Sequence, residues 1–244
     1  MMPDTRSVSS VSINGVRIDN VTRESALQTA MEGTVHPCVV MTPNAVMLET
    51  CRRDKKCADL LNSASLSLPD GAGVMMAARR KGTPLSERVA GISFGEDVLA
   101  YAARNHLRVF LLGGEDGVAR QAAQRLCLRF PELKICGTYW GYFQKGGAEN
   151  LRLRSYLHIC RPDVLLVCFG FPAQEEWIVE NMDVLSSVRV VAALGGSLDV
   201  WAQRKKRAPA SVQRCGLEWA WRMMQEPKRL RKLPSLVRFY FHNR

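Results

Sequence analysis

The run Val164-Leu-Leu-Val-Cys-Phe169 is apolar at every position and stops at Gly170. A strand of this kind has to be covered on both faces, which points to a central strand of a parallel sheet with helices above and below it. Cys38–Met41, Val109–Leu112 and Val188–Leu194 read the same way, and Lys134–Gly137 reads as a shorter strand. Between them lie helical stretches. Thr22 caps one from Arg23 to Glu32; others run from Thr42-Pro43-Asn44 to about Arg53, from Gly71 to Lys81 and from about Phe94 to Arg104. Further helices end near Phe130, span Ala148–Cys160 and open at Pro172. Strand and helix in alternation predict an α/β fold: a Rossmann-like, mostly parallel sheet covered by helices. Ahead of it, Val11-Ser-Ile13-Asn14-Gly15-Val16-Arg-Ile18 alternates about an Asn-Gly pair and predicts an N-terminal β-hairpin.

In open α/β sheets the ligand binds outside the carboxyl ends of the strands. Five strand ends here carry polar or glycine-rich chemistry: Thr42-Pro43-Asn44, Asp70-Gly71, Gly113-Gly114, Gly170-Phe-Pro-Ala-Gln174 and Gly195-Gly196-Ser197. Each could serve as turn punctuation; together they describe a crevice with glycine-lined helix starts and one carboxylate. Asp70 follows Leu66-Ser-Leu-Pro69 at a strand-to-helix junction, where it can cap the helix or act on a ligand. Gly113-Gly114-x-x-Gly117 is half of a dinucleotide fingerprint with the wrong spacing for the whole. The aromatic stretch Tyr139, Trp140, Tyr142 and Phe143 reads as packing before sugar stacking.

Other chemistries fit poorly. The four histidines are scattered without metal-ligand spacing, and neither a P-loop nor a G-x-S-x-G elbow occurs. There is no D-x-D pair, so no metal site and no cofactor are expected. The eight cysteines form no C-x-x-C pair and read as reduced thiols, most inside apolar runs. The polar, Ser-rich residues 1–12 lack the apolar core of a leader, and no run reaches the roughly 20 apolar residues of a membrane span. These features predict a cytoplasmic protein.

The net charge of +11 is uneven: residues 204–244 hold twelve Lys and Arg against Glu218 and Glu226, leaving +1 for residues 1–203. The sequence therefore divides into an α/β catalytic domain over 1–203 and a basic helical appendage over 204–244. Leu230, Leu233, Val237 and Phe241 recur there at helical spacing, although Pro234 must kink or interrupt the helix. A basic apolar stripe suits an anionic membrane surface.

The residues at the strand ends also resemble a known family, the bacterial TagA/WecG/CpsF glycosyltransferases (glycosyltransferase family 26). The matching segments are Thr42-Pro-Asn44, Pro69-Asp70-Gly71-x-Gly73, Glu87-Arg88-Val-x-Gly91 and Leu111-Leu-Gly113-Gly114-x-x-Gly117. Gly141-Tyr142-Phe143, Gly170-x-Pro172-x-Gln174-Glu175-x-Trp177, Gly195-Gly196-Ser197-x-Asp199, Lys206-Arg207-Ala-Pro209 and Gly216-Leu217-Glu218-Trp219 follow in family order, with Arg222 and Gln225-Glu226-Pro227. The resemblance implies metal-independent, inverting transfer from a UDP-sugar to a polyprenyl-diphosphate-linked saccharide at the inner membrane face. It makes Asp70 the catalytic base, Thr42 and Gln174 active-site polar residues, and Arg88 a contact near acceptor or diphosphate. Asn44, Gly71, Gly113, Gly114, Gly195, Gly196 and Ser197 would then line the nucleotide site. Two positions depart from the family pattern: Ser93 stands where an acidic residue is usual, with Asp97 one turn later, and Ala173 replaces a Lys. A dinucleotide-dependent enzyme and a non-enzymatic RNA- or lipid-binding module are the alternatives. No nucleic-acid partner is expected, and the sequence leaves a homo-oligomer open.

Overall fold

A computed structural model describes residues 8–243; the start of the polar stretch, residues 1–7, and Arg244 lie outside it. The hairpin is β1 (Ser10–Ile13) and β2 (Val16–Asp19), followed by α1 (Arg23–Glu32), β3 (Cys38–Met41), α2 (Ala45–Cys51), α3 (Lys55–Asn62) and β4 (Leu66–Ser67). The middle of the chain gives α4 (Ala72–Arg80), α5 (Gly91–Arg104), β5 (Arg108–Gly113), α6 (Val118–Arg129), β6 (Lys134–Tyr139) and α7 (Ala148–Cys160). Then come β7 (Val164–Cys168), α8 (Ala173–Glu180), α9 (Met182–Leu185), β8 (Val190–Ala193) and α10 (Ser197–Trp201). The basic region forms α11 (Ala210–Arg214), α12 (Glu218–Gln225), a 3-10 turn at Pro227–Lys232 and α13 (Leu233–His242).

Strands β3 to β8 form one sheet in the order β4-β3-β8-β7-β5-β6, and every recorded pairing in it is parallel. The two-sided apolar pattern does what it must. Val39, Met41, Phe110, Leu112, Leu165 and Val167 pack into the core on one face, whereas Val40, Val109, Leu111, Val164 and Leu166 pack into the other. The hairpin lies beside the short edge strand β4: Ser67 N–H donates to Asp19 Oδ2 at 2.8 Å, and Arg17 Nε sits 3.0 Å from Asp19 Oδ1.

After β3 the chain turns into α2, whose Ala45 and Leu48 join one core; after β8 it turns into α10, whose Leu198 and Trp201 join the other. Neighbouring parallel strands whose continuations leave for opposite faces open a crevice between their ends. That crevice positions the site.

One local expectation changes. Cys51 and Cys57 form a disulfide, so they are not reduced thiols; the tight turn between α2 and α3, capped by the Asp54 carboxylate, brings their Cα atoms to 4.9 Å. Pro234 interrupts the helical stretch as expected: Leu230 lies in the 3-10 turn and α13 begins only at Leu233, with the proline in its first turn. Cys160 and Cys168 are buried thiols as expected.

The C-terminal helices pack against the rest of the chain. Leu236 and Phe239 of α13 enter the same core as α2. Gly73 allows this closeness, since a Cβ there would meet Ala45 Cβ at 2.9 Å and Phe239 at 3.4 Å.

Candidate active site

A cleft of about 250 Å³ opens at the carboxyl ends of β3, β4, β7 and β8. Thr42, Asn44, Asp70, Gly71, Arg88, Gln174, Gly195, Gly196 and Ser197 all line it. The sheet brings together residues up to about 150 positions apart because parallel strands put all their carboxyl ends on one side.

Several of these side chains hold the crevice in shape. The Thr42 hydroxyl donates to the Ala193 carbonyl at 3.0 Å, tying the end of β3 to the end of β8. Asn44 caps α2, its Oδ1 accepting from Val46 N–H at 3.1 Å and Met47 N–H at 3.3 Å. Gln174 Oε1 accepts from Gly170 N–H at 3.1 Å and Gly195 N–H at 3.0 Å, so one buried amide joins the turns after β7 and β8. Ser197 Oγ donates back to the Leu194 carbonyl at 2.7 Å.

Asp70 differs from these, because its carboxylate is charged and faces the cleft. Gly71 follows it at φ +96°, a left-handed conformation that glycine alone adopts without strain, and so turns the chain sharply into α4. The Asp70 carboxyl is reached from the cleft but otherwise walled by protein, and that burial pushes it up to about 6. Arg222 pulls in the opposite direction, Glu218 adds to the rise, and Arg88 and the Gly91 N–H oppose it. A carboxylate made more basic by desolvation and still ionised at neutral pH is suited to accept a proton.

Two predicted residues are elsewhere. Gly113 and Gly114 do not line the cleft; a Cβ on Gly113 would lie 2.4 Å from the Cys168 carbonyl oxygen, and Gly141 N–H donates to the Gly114 carbonyl at 2.8 Å. Here glycine permits close backbone packing between β5, β7 and the aromatic loop. The rings of that loop pack edge to face, Tyr139 on Phe143 at 5.6 Å and Phe143 on Phe169 at 5.6 Å. Asp97, one turn past Ser93, pairs with Arg23 of α1 and not with the cleft.

The opposite wall comes from the basic region. Glu218, Trp219, Arg222, Arg229, Lys232 and Tyr240 line the cleft across from the strand ends. Arg88 Nη1 donates to Glu218 Oε2 at 3.0 Å, joining the two walls, and both residues act on the charge of Asp70. Lys205 makes a second tie, 2.6 Å from Asp199 Oδ2 and 3.1 Å from Glu226 Oε1.

The sequence match to known proteins runs through both walls. Residues 11–243 match the Glycosyl transferase WecG/TagA/CpsF family. The chain belongs to this family. Its relatives include proteins named N-acetylglucosaminyldiphosphoundecaprenol N-acetyl-beta-D-mannosaminyltransferase from Staphylococcus aureus strains MRSA252 and NCTC 8325. Each is 31% identical over 235 residues, covering 95% of this chain and 91% of the relative. As a WecG/TagA/CpsF glycosyltransferase, the chain carries the strand-end carboxylate Asp70 in a cleft that Arg222, Arg229 and Lys232 also line. Glu218 and Arg222 were legible as motif residues but not as neighbours of Asp70, since nothing in local spacing says where a C-terminal helix will dock. Glu175, wholly buried next to Gln174, gave no signal beyond its place in the motif.

Proposed function

We propose that this glycosyltransferase moves a sugar from a UDP-sugar onto a polyprenyl-diphosphate-linked N-acetylglucosamine, with inversion at the transferred anomeric carbon. The observation that carries the reading is Asp70, a carboxylate raised to about 6 by burial and facing a cleft whose far wall holds Arg222 and Arg229. The acceptor named for the staphylococcal relatives, a lipid diphosphate bearing N-acetylglucosamine, suits that charge.

In the reaction, Asp70 takes the proton of the acceptor hydroxyl as its oxygen bonds to the anomeric carbon. The bond from that carbon to the UDP oxygen breaks on the opposite face, and UDP leaves with the electron pair. One inverting displacement needs one base, and of the two carboxylates that line the cleft Glu218 is paired with Arg88, which leaves Asp70 for that role. Cations aimed at the departing diphosphate stabilise the charge that grows there. Arg222, Arg229 and Lys232 of the far wall would take that role, with Arg229 paired to Glu226 and Arg88 to Glu218. The far-wall cations can neutralise the departing diphosphate without a metal ion, and the family resemblance implies metal-independent transfer. Transfer is therefore expected to survive a chelator; activity lost with EDTA and restored by Mg²⁺ would overturn that part.

The region 204–244 is the part that meets the membrane. Leu230, Leu233, Val237 and Phe241 are exposed, with Arg231 and Arg238 beside them, whereas Leu236 and Phe239 on the other side of α13 are buried. Among the described residues no helix is long and apolar enough to cross a bilayer. Peripheral contact with the anionic inner face would bring the cleft to a substrate that cannot leave the lipid. A panel of UDP-sugars assayed with polyprenyl-diphosphate N-acetylglucosamine tests the whole reading. Absence of transfer from every UDP-sugar by a folded protein on acceptor vesicles would sink it.

A further inference from the structure

Glu175 is shut off from solvent and does not line the cleft. Its Oε1 accepts from Gln174 Nε2 at 2.8 Å, while Oε2 has no hydrogen-bond partner among the described residues. Burial pushes this carboxyl up to about 7, against the pull of the Gln174 hydrogen bond. An interior carboxyl with one oxygen unsatisfied is costly to keep.

Gln174 gives that cost a purpose. A glutamine amide has an acceptor end and a donor end, and a half-turn of the group exchanges them. Only the acceptor end can receive the Gly170 and Gly195 N–H groups. The Glu175 oxygen at the other end accepts from the NH₂ group and repels a flipped carbonyl. It accepts when ionised and, with the proton on Oε2, when neutral too. The two turns need such a fastening, because Gly170 at φ +90° and Gly195 at φ +57° have no side chains of their own to pack. Both turns lie in the wall of the cleft.

We propose that Glu175 is a positioning residue that locks the Gln174 amide and, through it, holds the turns after β7 and β8 together in the strand-end wall of the cleft. The kinetic consequence rests on the functional reading above; the fastening itself does not.

Four variants and two readouts test it. The variants are Glu175→Leu, Glu175→Gln and the reciprocal pair Gln174→Glu with Glu175→Gln, set beside Gln174→Glu alone. Amide hydrogen exchange at Gly170 and Gly195, with the β5 amides as an internal control, reports the fastening whatever the substrate. Steady-state kinetics report KM for the UDP-sugar against kcat. Glu175→Leu should speed exchange at the two glycines about tenfold or more, leave β5 protected, and raise KM by a similar factor with a smaller change in kcat. Glu175→Gln keeps an acceptor for Nε2 and should recover most of both. Gln174→Glu alone sets two carboxyl groups side by side and should be severely impaired. Adding Glu175→Gln restores a donor between them and should regain most of the loss, a rescue that a direct substrate contact of the Gln174 amide would not show.

A folded Glu175→Leu protein with both glycine amides still protected and an unchanged KM would overturn the proposal, as would a double variant no better than Gln174→Glu. Where Gln174→Glu does not fold, the contrast between Leu and Gln at 175 decides. A wild type inactive with every UDP-sugar would count against the functional reading and leave the exchange data to judge the lock.

Discussion

The two walls of the cleft are built by different physics. The strand-end wall is held by hydrogen bonds between buried or partly buried groups, such as the Thr42 hydroxyl to the Ala193 carbonyl at 3.0 Å and Gly195 N–H to Gln174 Oε1 at 3.0 Å. The wall from residues 215 onward reaches it through partly exposed ion pairs, Arg88 with Glu218 and Lys205 with Glu226, and is anchored behind by Phe239. Buried hydrogen bonds are short-ranged and insensitive to salt, whereas exposed ion pairs contribute little each and are screened. One wall is thus fixed by the fold, and the other is an attached surface whose charges tune what the first wall presents. Asp70 belongs to the first wall, but Arg222 and Glu218 of the second both act on its basicity.

The comparison breaks most sharply at Asp70. Asp70→Asn should lower turnover by the roughly 10²–10⁴ typical of a lost general base, measured as kcat on lipid-linked acceptor. The same change should raise the melting temperature at pH 7.5. The sign follows from linkage. A carboxyl whose folded-state pKa of about 6 lies above its ordinary value near 3.8 opposes folding once ionised. The penalty grows as pH rises between those values and is full above about 6. Near-normal turnover in the Asn protein would remove Asp70 from the mechanism.

Phe239→Ala tests whether the second wall is anchored by its core contact rather than by its charges. Emptying a fully buried phenylalanine site should cost about 3–5 kcal/mol in denaturant unfolding. High salt, which weakens the ion pairs alone, should cost far less.

Glu218→Gln sharpens the electrostatic coupling between the walls. In the wild type kcat/KM should fall about tenfold per pH unit below the Asp70 pKa. Removing the Glu218 charge deletes an interaction that raises that pKa and releases Arg88, which lowers it, so the acid limb should move to lower pH. An unmoved limb, read from kcat/KM across about pH 5 to 8, would mean that the second wall does not reach Asp70.

The smallest effects belong to the outer face of the second wall. Arg231→Gln and Arg238→Gln should each weaken binding to anionic liposomes by about 1 kcal/mol, or roughly fivefold, in flotation assays. Transfer to a short-chain, water-soluble acceptor should stay unchanged, because neither residue lines the cleft. An equal loss on the soluble acceptor would place these arginines in the site instead of at the membrane.

The local pattern of the chain determined a good deal. Apolar runs such as Val164–Cys168 can be satisfied only between two helical layers, so the parallel sheet and the carboxyl-end location of Asp70, Thr42 and Gly195 were legible before any coordinates. Asn14-Gly15 placed the hairpin because a two-residue turn with positive φ at both positions tolerates few other pairs. Other features were decided by contacts between segments far apart in sequence. Gly113 and Gly114 looked like phosphate-binding glycines, but in the fold they meet Cys168 and Gly141, and a glycine's spacing cannot say whether a ligand or a backbone will approach it. The Cys51–Cys57 bridge depends on how tightly α2 turns into α3, which cysteine counting does not reveal. The basicity of Asp70 depends on burial and on Arg222 and Glu218, some 150 residues away, and the lock on Gln174 depends on two turns from separate strands. Sequence periodicity fixes which face of an element is apolar. Only the packed chain decides which charges share a low-dielectric space, because that interaction acts through distance in space and not along the backbone.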